Sequence, residues 1–371
     1  MTPADTMEME AGVRDDYDDD DGYNPTSEGY TLGDTGLFCE KSHVRKFAKY
    51  FLPPMYWSVF LLGTIGNSLV IMIYAHYRRI TTMTDAYLLN LAIADLLFLI
   101  TLPFWAVSVS QEWIFQTAMC KVVNSTYTVN VYSCMLFLAC ISVDRFIAIV
   151  QATRAQKNKY KRLVCSKVVC ISVWILAIAL SFPELLYSEV MQGSDSKTCT
   201  MAYPPTFSRT IKVIALCLKI TVGFCIPFLI MVFCYALIIR TLLQARSFQK
   251  HKALKVILTV VMAFLVSQLP YNSILVLRTL EATNVTIPDC TSSMKLDIAT
   301  HITQSLAFLH SSLNPLLYVF IGVRFRHDLL KILKDCGCIS RSQWVRYVGS
   351  EWSCKRASEL LETKSLGTLS L

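Results

Sequence analysis

Seven long apolar stretches constrain the fold of this 371-residue chain more than any other feature. Each is long enough for an α-helix to cross the roughly 30 Å hydrocarbon core of a bilayer, which takes about 20 residues. A soluble protein with seven buried core helices would keep too little amphipathic surface, so we predict an all-α membrane protein with a seven-transmembrane helix bundle. The predicted spans are roughly 54–76, 84–107, 117–150, 167–188, 208–240, 252–279 and 296–320.

The charge distribution argues against a nucleic-acid-binding protein, although the net charge is +8. Residues 1–38 carry eleven acidic side chains against Arg14 alone, so the N-terminal segment is strongly negative and the remainder is strongly positive. This segment has neither the basic start nor the apolar core of a cleavable signal. We therefore expect the first span to anchor the chain in the lipid bilayer.

The short loops predict which way the chain faces. Loops 77–83, 151–167 and 240–255 hold thirteen Lys and Arg residues, and the opposite loops hold four. Because cytosolic loops carry the basic excess, we predict an extracellular N-terminus and a cytosolic C-terminus. Four basic residues before the first span oppose this assignment: Lys41, Arg45, Lys46 and Lys49.

The resulting organisation has four parts along the chain. An acidic extracellular tail covers 1–50, the helix bundle covers 51–321, a short amphipathic helix on the cytosolic membrane surface covers 322–335, and a cytosolic regulatory tail covers 336–371. This topology predicts a multi-pass protein of the plasma membrane.

Cysteine positions agree with this topology. Four fall outside, where disulfides persist, and they permit three pairings into two bridges: Cys39, Cys120, Cys199 and Cys290. Cys336 and Cys338 follow the amphipathic stretch, so they are palmitoylation candidates, and free thiols are an equal alternative. No paired CxxC spacing indicates a metal site.

Polar residues inside the spans are the candidate functional residues, because ionisable groups in hydrocarbon are costly. Asp95 lies midway along the second span, and we expect Asn67 and Asn314 to be its hydrogen-bond partners. Asp144 and Arg145 lie at the cytosolic end of the third span. Prolines predict hinges in the last three spans: Pro227, Pro270 and Pro315.

Together these landmarks resemble the rhodopsin-like G-protein-coupled receptors over about residues 39–330. The matching features are GNSLV, LAIAD, DRFIAIV, Trp174, Pro227, Pro270 and NPLLY. Within that class the chain resembles the chemokine receptors, through TLP at 101–103, WIFQ at 113–116 and KHKALKV at 250–256. Further stretches, among them YFLPPMYW, SQLPYN and the terminal SLGTLSL, resemble one member of the CC branch more closely.

The resemblance implies a receptor, not an enzyme, that binds a CC chemokine and activates an inhibitory-class heterotrimeric G protein. Calcium signalling and leukocyte chemotaxis would follow. Arrestin and a receptor kinase are implied as further partners, acting on Ser and Thr residues of the cytosolic tail. No cofactor is expected, and a sodium ion near Asp95 is left open.

Two other functions are alternatives to G-protein signalling. A transporter or channel is disfavoured because the chain has no internal repeat. An atypical receptor that takes up chemokine without G-protein signalling remains the alternative, although such receptors tend to lose the DRYLAIV pattern. This chain keeps five of the seven residues, with Phe146 and Ile147 as the departures.

The resemblance also implies disulfides and ligand-binding residues. It pairs Cys120 with Cys199, and Cys39 with Cys290, which would shape the mouth of the bundle. Four residues match positions that line a small pocket below that mouth, and core packing is the alternative reading of the aromatic ones: Tyr56, Trp105, Tyr127 and Gln304. Lys219 either faces this pocket or extends outward.

A switch at the cytosolic side is implied as well. Asp144 would hold Arg145 at rest, and the sixth span would swing outward about Pro270 to release it. Tyr235 and Tyr318 would support the open arrangement. Gln268 stands where the family commonly has Trp, which argues against a Trp-type toggle, and Gln304 replaces a Glu that many relatives carry.

The N-terminal tail adds modification sites. DDYDDDD surrounds Tyr17 with six aspartates, which predicts sulfation and electrostatic capture of a basic chemokine. A disordered, solvating tail is the plainer reading, and the two are compatible. Asn284 begins an NVT sequon in an extracellular loop and is the predicted glycan acceptor, whereas the NST at Asn124 lies inside the third span and is rejected.

Overall fold

The computed structural model describes residues 41–77, 80, 82–151, 159–192, 196–244, 248–283, 289–321, 323–335, 337 and 339–340. Helices dominate this part of the chain. They are α1 (Ser42–Met72), α2 (Met83–Leu99), α3 (Leu102–Ser110), α4 (Thr117–Val150), α5 (Lys159–Leu180), α6 (Phe182–Tyr187), α7 (Ser208–Ile220), α8 (Ile226–Leu243), α9 (Phe248–Ala282), α10 (Cys290–Ile321) and α11 (Val323–Asp335). Short π-helical turns at Ile73–Tyr77 and Thr221–Cys225 extend α1 and join α7 to α8.

The seven predicted spans are confirmed as helices of a membrane bundle. Helices α1, α4, α9 and α10 form the first, third, sixth and seventh spans, and the pairs α2–α3, α5–α6 and α7–α8 form the others. In the described part of the chain, five stretches are long and apolar enough to cross a membrane: Ser42–His76, Met83–Ser110, Thr117–Val150, Lys161–Tyr187 and Ser208–Leu243. The sixth and seventh predicted spans lie within α9 and α10.

The first span begins earlier than expected. We predicted a tail that runs to residue 50, and α1 starts at Ser42, within that segment. Val44, Ala48 and Leu52 are buried along one face, so the apolar face continues to the N-terminal end of the helix and keeps residues 42–50 helical. The short amphipathic helix is confirmed as α11, whose Ile332 packs with residues of the first and second spans.

The third span is the centre of the bundle. It packs against the second, fourth and fifth spans, while the first packs on the second and seventh, and the sixth on the fifth and seventh. One core cluster joins the first, second and seventh spans through Leu52, Phe98 and Phe308. A second joins the second, third and fourth through Tyr87 and Phe137. Large apolar side chains on the outer faces are exposed, as lipid contact requires.

Local chemistry explains where the second span starts and bends. Thr82 and Asp85 form a capping box, in which the Thr82 hydroxyl accepts from the Asp85 amide and the Asp85 carboxylate accepts from the Thr82 amide, both at 3.1 Å. The span breaks between α2 and α3 at Ile100–Thr101. There the Thr101 hydroxyl donates to the Phe98 carbonyl at 2.6 Å, and Pro103 lacks an amide proton.

A β-hairpin in the loop between the fourth and fifth spans was not predicted from the sequence. Strands β1 (Ser188–Gln192) and β2 (Lys197–Met201) pair antiparallel, with Val190 opposite Cys199. The hairpin follows the fourth span and contacts the third. The hairpin therefore packs on the end of the bundle where the fourth span finishes and the third span begins.

Glycines let the first span approach its neighbours closely. A Cβ on Gly66 would lie 2.8 Å from Cβ of Pro315, and one on Gly63 would lie 2.7 Å from the methyl carbons of Leu99. Contacts this short force a neighbour to move. The proline ring is rigid, whereas the Leu99 methyl groups end a flexible side chain.

We therefore expect Gly66→Ala to destabilise the helix bundle by about 1–3 kcal/mol, the usual cost of overpacking. Gly63→Ala is the matched control and should cost less, because Leu99 can change rotamer and alanine favours a helix over glycine by about 1 kcal/mol. Thermal unfolding of the detergent-solubilised chain measures both. A Gly66→Ala chain as stable as the parent would contradict the close packing against Pro315.

Candidate functional site

A disulfide fixes the loop between the fourth and fifth spans to the third span. Cys120 and Cys199 are bonded, with their Cα atoms 5.7 Å apart. This pairing is the one that the resemblance implied. Cys290 is also disulfide-bonded, and Cys39, its expected partner, lies outside the described residues.

An aromatic cluster supports the hairpin from below. Trp113 is fully buried and meets Trp105 and Phe115 with ring centroids 6.4 and 5.2 Å apart. Its backbone amide donates to the Lys197 carbonyl at 2.9 Å, and the Lys197 amide donates to the Glu112 carboxylate at 3.0 Å. The WIFQ segment thus packs the loop between the second and third spans against the hairpin.

Ion pairs connect the outer ends of the first, sixth and seventh spans. Lys41 lies 2.7 Å from the Asp297 carboxylate, and Arg278 bonds the same carboxylate. Arg278 also pairs with Glu281 at 3.1 Å. At the residue just before α10 begins, hydrogen bonds from Ser292 hold the pKa of the Asp289 carboxyl below its usual range. Lys41 opposed the predicted orientation, and its cation has a structural partner here.

The four predicted pocket residues occupy two environments. Tyr56 is buried in the core cluster beside Phe308, with ring centroids 5.9 Å apart, so core packing is the reading that its surroundings favour. Trp105 packs between that cluster and Trp113. Tyr127 lies 3.2 Å from the Tyr271 hydroxyl and also hydrogen-bonds with Gln304. Tyr127 and Gln304 are therefore brought together, and Tyr56 lies behind them.

A cavity continues inward from Tyr127 between the third, fifth, sixth and seventh spans. Its walls include Tyr127, Asn130, Cys134, Lys219, Gln268, Tyr271 and His310. Lys219 faces this cavity, which resolves the two orientations left open by the sequence. The pocket is polar at its base and aromatic at its top.

Lys219 forms an ion pair that sequence reasoning missed. Its ammonium lies 2.7 Å from the Glu184 carboxylate at the end of the fourth span, and the Glu184 side chain is only 6% exposed. The second carboxylate oxygen of Glu184 has no hydrogen-bond partner among the described residues. In the loop above, burial and the nearby Glu184 raise the pKa of Tyr203 to about 12. An acidic residue within a predicted span was the available signal for this site.

Asp95 is the centre of a buried polar network. Its side chain is fully buried and accepts hydrogen bonds from Asn314 at 2.9 Å, Asn130 at 3.3 Å and the Cys134 thiol at 3.2 Å. The predicted pairing with Asn314 is therefore present. Asn67 does not join it. Its amide donates instead to backbone carbonyls, because the first span lies against the backbone of the seventh: Gly63 at 3.0 Å and Ser311 at 2.8 Å.

His310 extends this network toward the sixth span, and sequence reasoning also missed it. Its Nδ1 lies 2.5 Å from the Ala307 carbonyl and 2.9 Å from the Gln268 side-chain nitrogen. Gln268 also donates to the Ala307 carbonyl at 3.3 Å. The Gln268 side chain, in place of an indole, thus makes polar contacts with the seventh span two residues before Pro270.

The C-terminal end of the third span differs from expectation. Asp144 pairs with Arg162 at 2.5 Å and accepts a hydrogen bond from the Thr84 hydroxyl. Within the described part of the chain no ion pair joins Asp144 to Arg145, so the expected pairing is not formed. Arg145 is exposed instead and lies in electrostatic range of Tyr235, whose hydroxyl bonds Ser142. The reason is geometric: adjacent helical residues point apart, so the Asp144 carboxylate faces the neighbouring helices.

The remaining predicted site residues lie outside the part of the chain that the structure describes. They are Tyr17, Asn284, Cys336, Cys338 and the side chain of Tyr318. Asn124 lies within α4, as expected, and its amide donates to the Ser188 hydroxyl at 3.0 Å.

Removing the cation that faces Glu184 should destabilise the bundle. We expect Lys219→Met to cost about 3–5 kcal/mol, because a buried carboxylate loses its partner. The double variant Lys219→Met/Glu184→Gln should recover most of the loss, since no charge remains buried. Thermal unfolding of the parent, both single variants and the double variant measures the coupling, and additive effects would show that the pair contributes nothing.

Comparison with known proteins agrees with this architecture. Residues 66–318 match the family of 7 transmembrane receptors (rhodopsin family). The chain is 53% identical to C-C chemokine receptor type 9 of Mus musculus and 52% identical to that of Homo sapiens, each over the full length of both proteins. It is 44% identical to C-C chemokine receptor type 7 of Homo sapiens, over 96% of this chain and 93% of that protein. The member of the CC branch that the sequence motifs resembled is the type 9 receptor. With seven packed spans, the Cys120–Cys199 bond and the Asp95 network in place, the chain belongs to the CC chemokine receptors of the rhodopsin family.

Proposed function

We propose that this chain is a plasma-membrane receptor, with its N-terminus outside, that converts binding of a CC chemokine into activation of an inhibitory-class G protein. Calcium signalling and leukocyte chemotaxis are the expected cellular results. The full-length similarity to type 9 receptors makes thymus-expressed chemokine the proposed ligand. Arrestin and a receptor kinase are the proposed regulatory partners.

The observation that carries this proposal is the exposure of Arg145. Asp144 is neutralised by Arg162 at 2.5 Å, so the guanidinium of Arg145 does not have to balance that carboxylate. An exposed arginine at the end of the central span is available to an incoming helix of a partner protein. Tyr235 on the fifth span lies beside it and is the proposed support of the open arrangement, together with Tyr318.

Ligand recognition is proposed for the mouth and the cavity beneath it. Trp105, Tyr127 and Gln304 are the proposed contacts, and Tyr56 supports this wall from the core cluster. Because Gln304 is neutral, a ligand amine there gains a hydrogen bond without charge assistance. Ligand acts only through its preference for the open arrangement, in which the sixth span moves about Pro270.

Modifications complete the proposal. Sulfation of Tyr17 would add charge to the acidic tail, and an N-glycan at Asn284 would lie on an extracellular loop. A Cys39–Cys290 bridge would connect the tail to the third extracellular loop. Palmitate on Cys336 or Cys338 would hold the chain after α11 at the membrane, because each buried methylene contributes about 0.8 kcal/mol.

We expect Arg145→Ala to abolish chemokine-driven, pertussis-toxin-sensitive inhibition of cyclic AMP formation, at unchanged surface expression and ligand binding. Lys161→Ala, which removes another basic residue from the same side, should signal normally. The assay uses cells that express each variant, with a panel of CC chemokines that includes thymus-expressed chemokine.

The same assay separates the rival functions. Ligand that is bound and internalised by the parent chain without any G-protein response would replace signalling with the scavenging alternative. Good surface expression with no chemokine bound would overturn the proposed ligand class and leave the seven-span fold intact.

The acidic tail should act on association rather than dissociation. Replacing Asp18 to Asp21 with Asn should lower the association rate at low ionic strength by about 10-fold and flatten its salt dependence, because steering of a basic ligand is lost. Tyr17→Phe keeps these carboxylates and isolates the contribution of a sulfate. Association rates at two salt concentrations measure the effect, and equal salt slopes for parent and variant would contradict electrostatic capture.

A further inference from the structure

Three side chains with metal-binding atoms meet at the centre of the bundle: Asp95, Cys134 and His310. Their ligand atoms all lie within 4.8 Å of one another. Asp95 and Cys134 are buried on the second and third spans, and the half-buried His310 comes from the seventh. A cation bound here would therefore join three separate spans.

These donors fit sodium poorly. Hard cations such as sodium prefer several oxygen ligands. Here the Asp95 carboxylate is accompanied by a thiol and an imidazole, and Asn130 directs its amide nitrogen, not its oxygen, toward Asp95. Thiolate and imidazole ligands favour zinc and copper instead. The donor set thus disagrees with the sodium ion that the sequence left open.

We propose that Asp95, Cys134 and His310 form a binding site for Zn²⁺, with water as the fourth ligand. Zinc takes tetrahedral sets of N, O and S ligands at about 2.0–2.3 Å, so its ligand atoms lie roughly 3.3–3.7 Å apart. The Cys134 sulfur already lies 3.2 Å from Asp95 Oδ1, so the separations that need to shorten, by about 1 Å, are those to His310, which are at most 4.8 Å. Carboxylate and thiolate together neutralise the dication in a membrane interior.

Binding exchanges a proton for a metal ion. In the metal-free chain the Cys134 thiol keeps its proton and donates a hydrogen bond to Asp95 Oδ1 at 3.2 Å. When the S–Zn bond forms, that proton leaves to water and no electrons are transferred. Zn²⁺ then takes the position that the proton held between the Cys134 sulfur and the Asp95 carboxylate. Because binding releases this proton, the affinity for zinc rises with pH.

The surroundings provide the outer contacts that such a site needs. The His310 Nδ1 contact with the Ala307 carbonyl at 2.5 Å orients the ring, and Asn314 holds the second Asp95 oxygen at 2.9 Å. Outer partners of this kind orient metal ligands. Cys134 and His310 both line the cavity that continues inward from Tyr127, which gives an ion a route to the site.

The test measures cation binding to the purified full-length chain, so it does not depend on the proposed signalling function. Exposed thiols such as Cys165 and Cys217 are first alkylated. Zinc should then bind at one ion per chain and raise the unfolding temperature with its free concentration. Cobalt should produce a thiolate-to-cobalt charge-transfer band in the near ultraviolet.

Variants assign the ligands. Cys134→Ser should remove the cobalt band and weaken zinc binding by at least about 100-fold, more than the loss of an outer-shell partner. Cys140→Ser, a half-buried thiol on the same helix, should leave both unchanged. Any stabilisation by sodium should persist in Cys134→Ser, because a hydroxyl oxygen replaces the sulfur.

Two outcomes of the cobalt experiment would overturn the zinc site. One is the absence of a cobalt–thiolate band in the unsubstituted, alkylated chain, which requires no variant to fold. The other is a band that survives Cys134→Ser or disappears in Cys140→Ser. Stabilisation by sodium alone, lost in Asp95→Asn, would return the site to the sodium ion.

Discussion

Burial of the Asp95 carboxylate at the centre of a membrane bundle is the constraint on which the rest of the structure depends. An isolated carboxylate in hydrocarbon is costly, so its oxygens need donors from neighbouring helices. Asn130 and Cys134 supply them from the third span and Asn314 from the seventh. These three spans must therefore meet at one depth, and close contact at Gly66 lets the first span pack onto the seventh beside them.

Three further charges in the described part of the bundle also have partners on a neighbouring element, and in these cases the partner is an opposite charge. Lys219 faces Glu184, Arg162 faces Asp144, and Lys41 faces Asp297. The last pair explains a conflict in the sequence. Basic residues before the first span opposed the predicted orientation, but for Lys41 the charge serves to join the first span to the seventh. A count of basic residues cannot distinguish a topological signal from a structural ion pair.

Much of the fold was predictable because its signals are local. Spans follow from apolar length, and Asp95 with Asn314 from the cost of polar groups in hydrocarbon. The partners of charged side chains were harder to predict. Asp144 pairs with Arg162 and not with the adjacent Arg145, because the packing of two helices brings Arg162 next to it. His310 and Glu184 are also ionisable side chains within predicted spans, so the rule that identified Asp95 applies to them as well. The hairpin β1–β2 has polar, exposed strands and left no clear periodicity.

The contact between Gln268 and His310 connects the cavity to the polar network. An indole at this position would offer one N–H donor, whereas the Gln268 amide nitrogen offers two. It joins the sixth span to the Ala307 carbonyl and the His310 ring just before the hinge at Pro270. The outward movement of the sixth span that we propose would have to break or exchange these polar contacts. A ligand would then favour that movement only through contacts that are stronger in the exchanged arrangement.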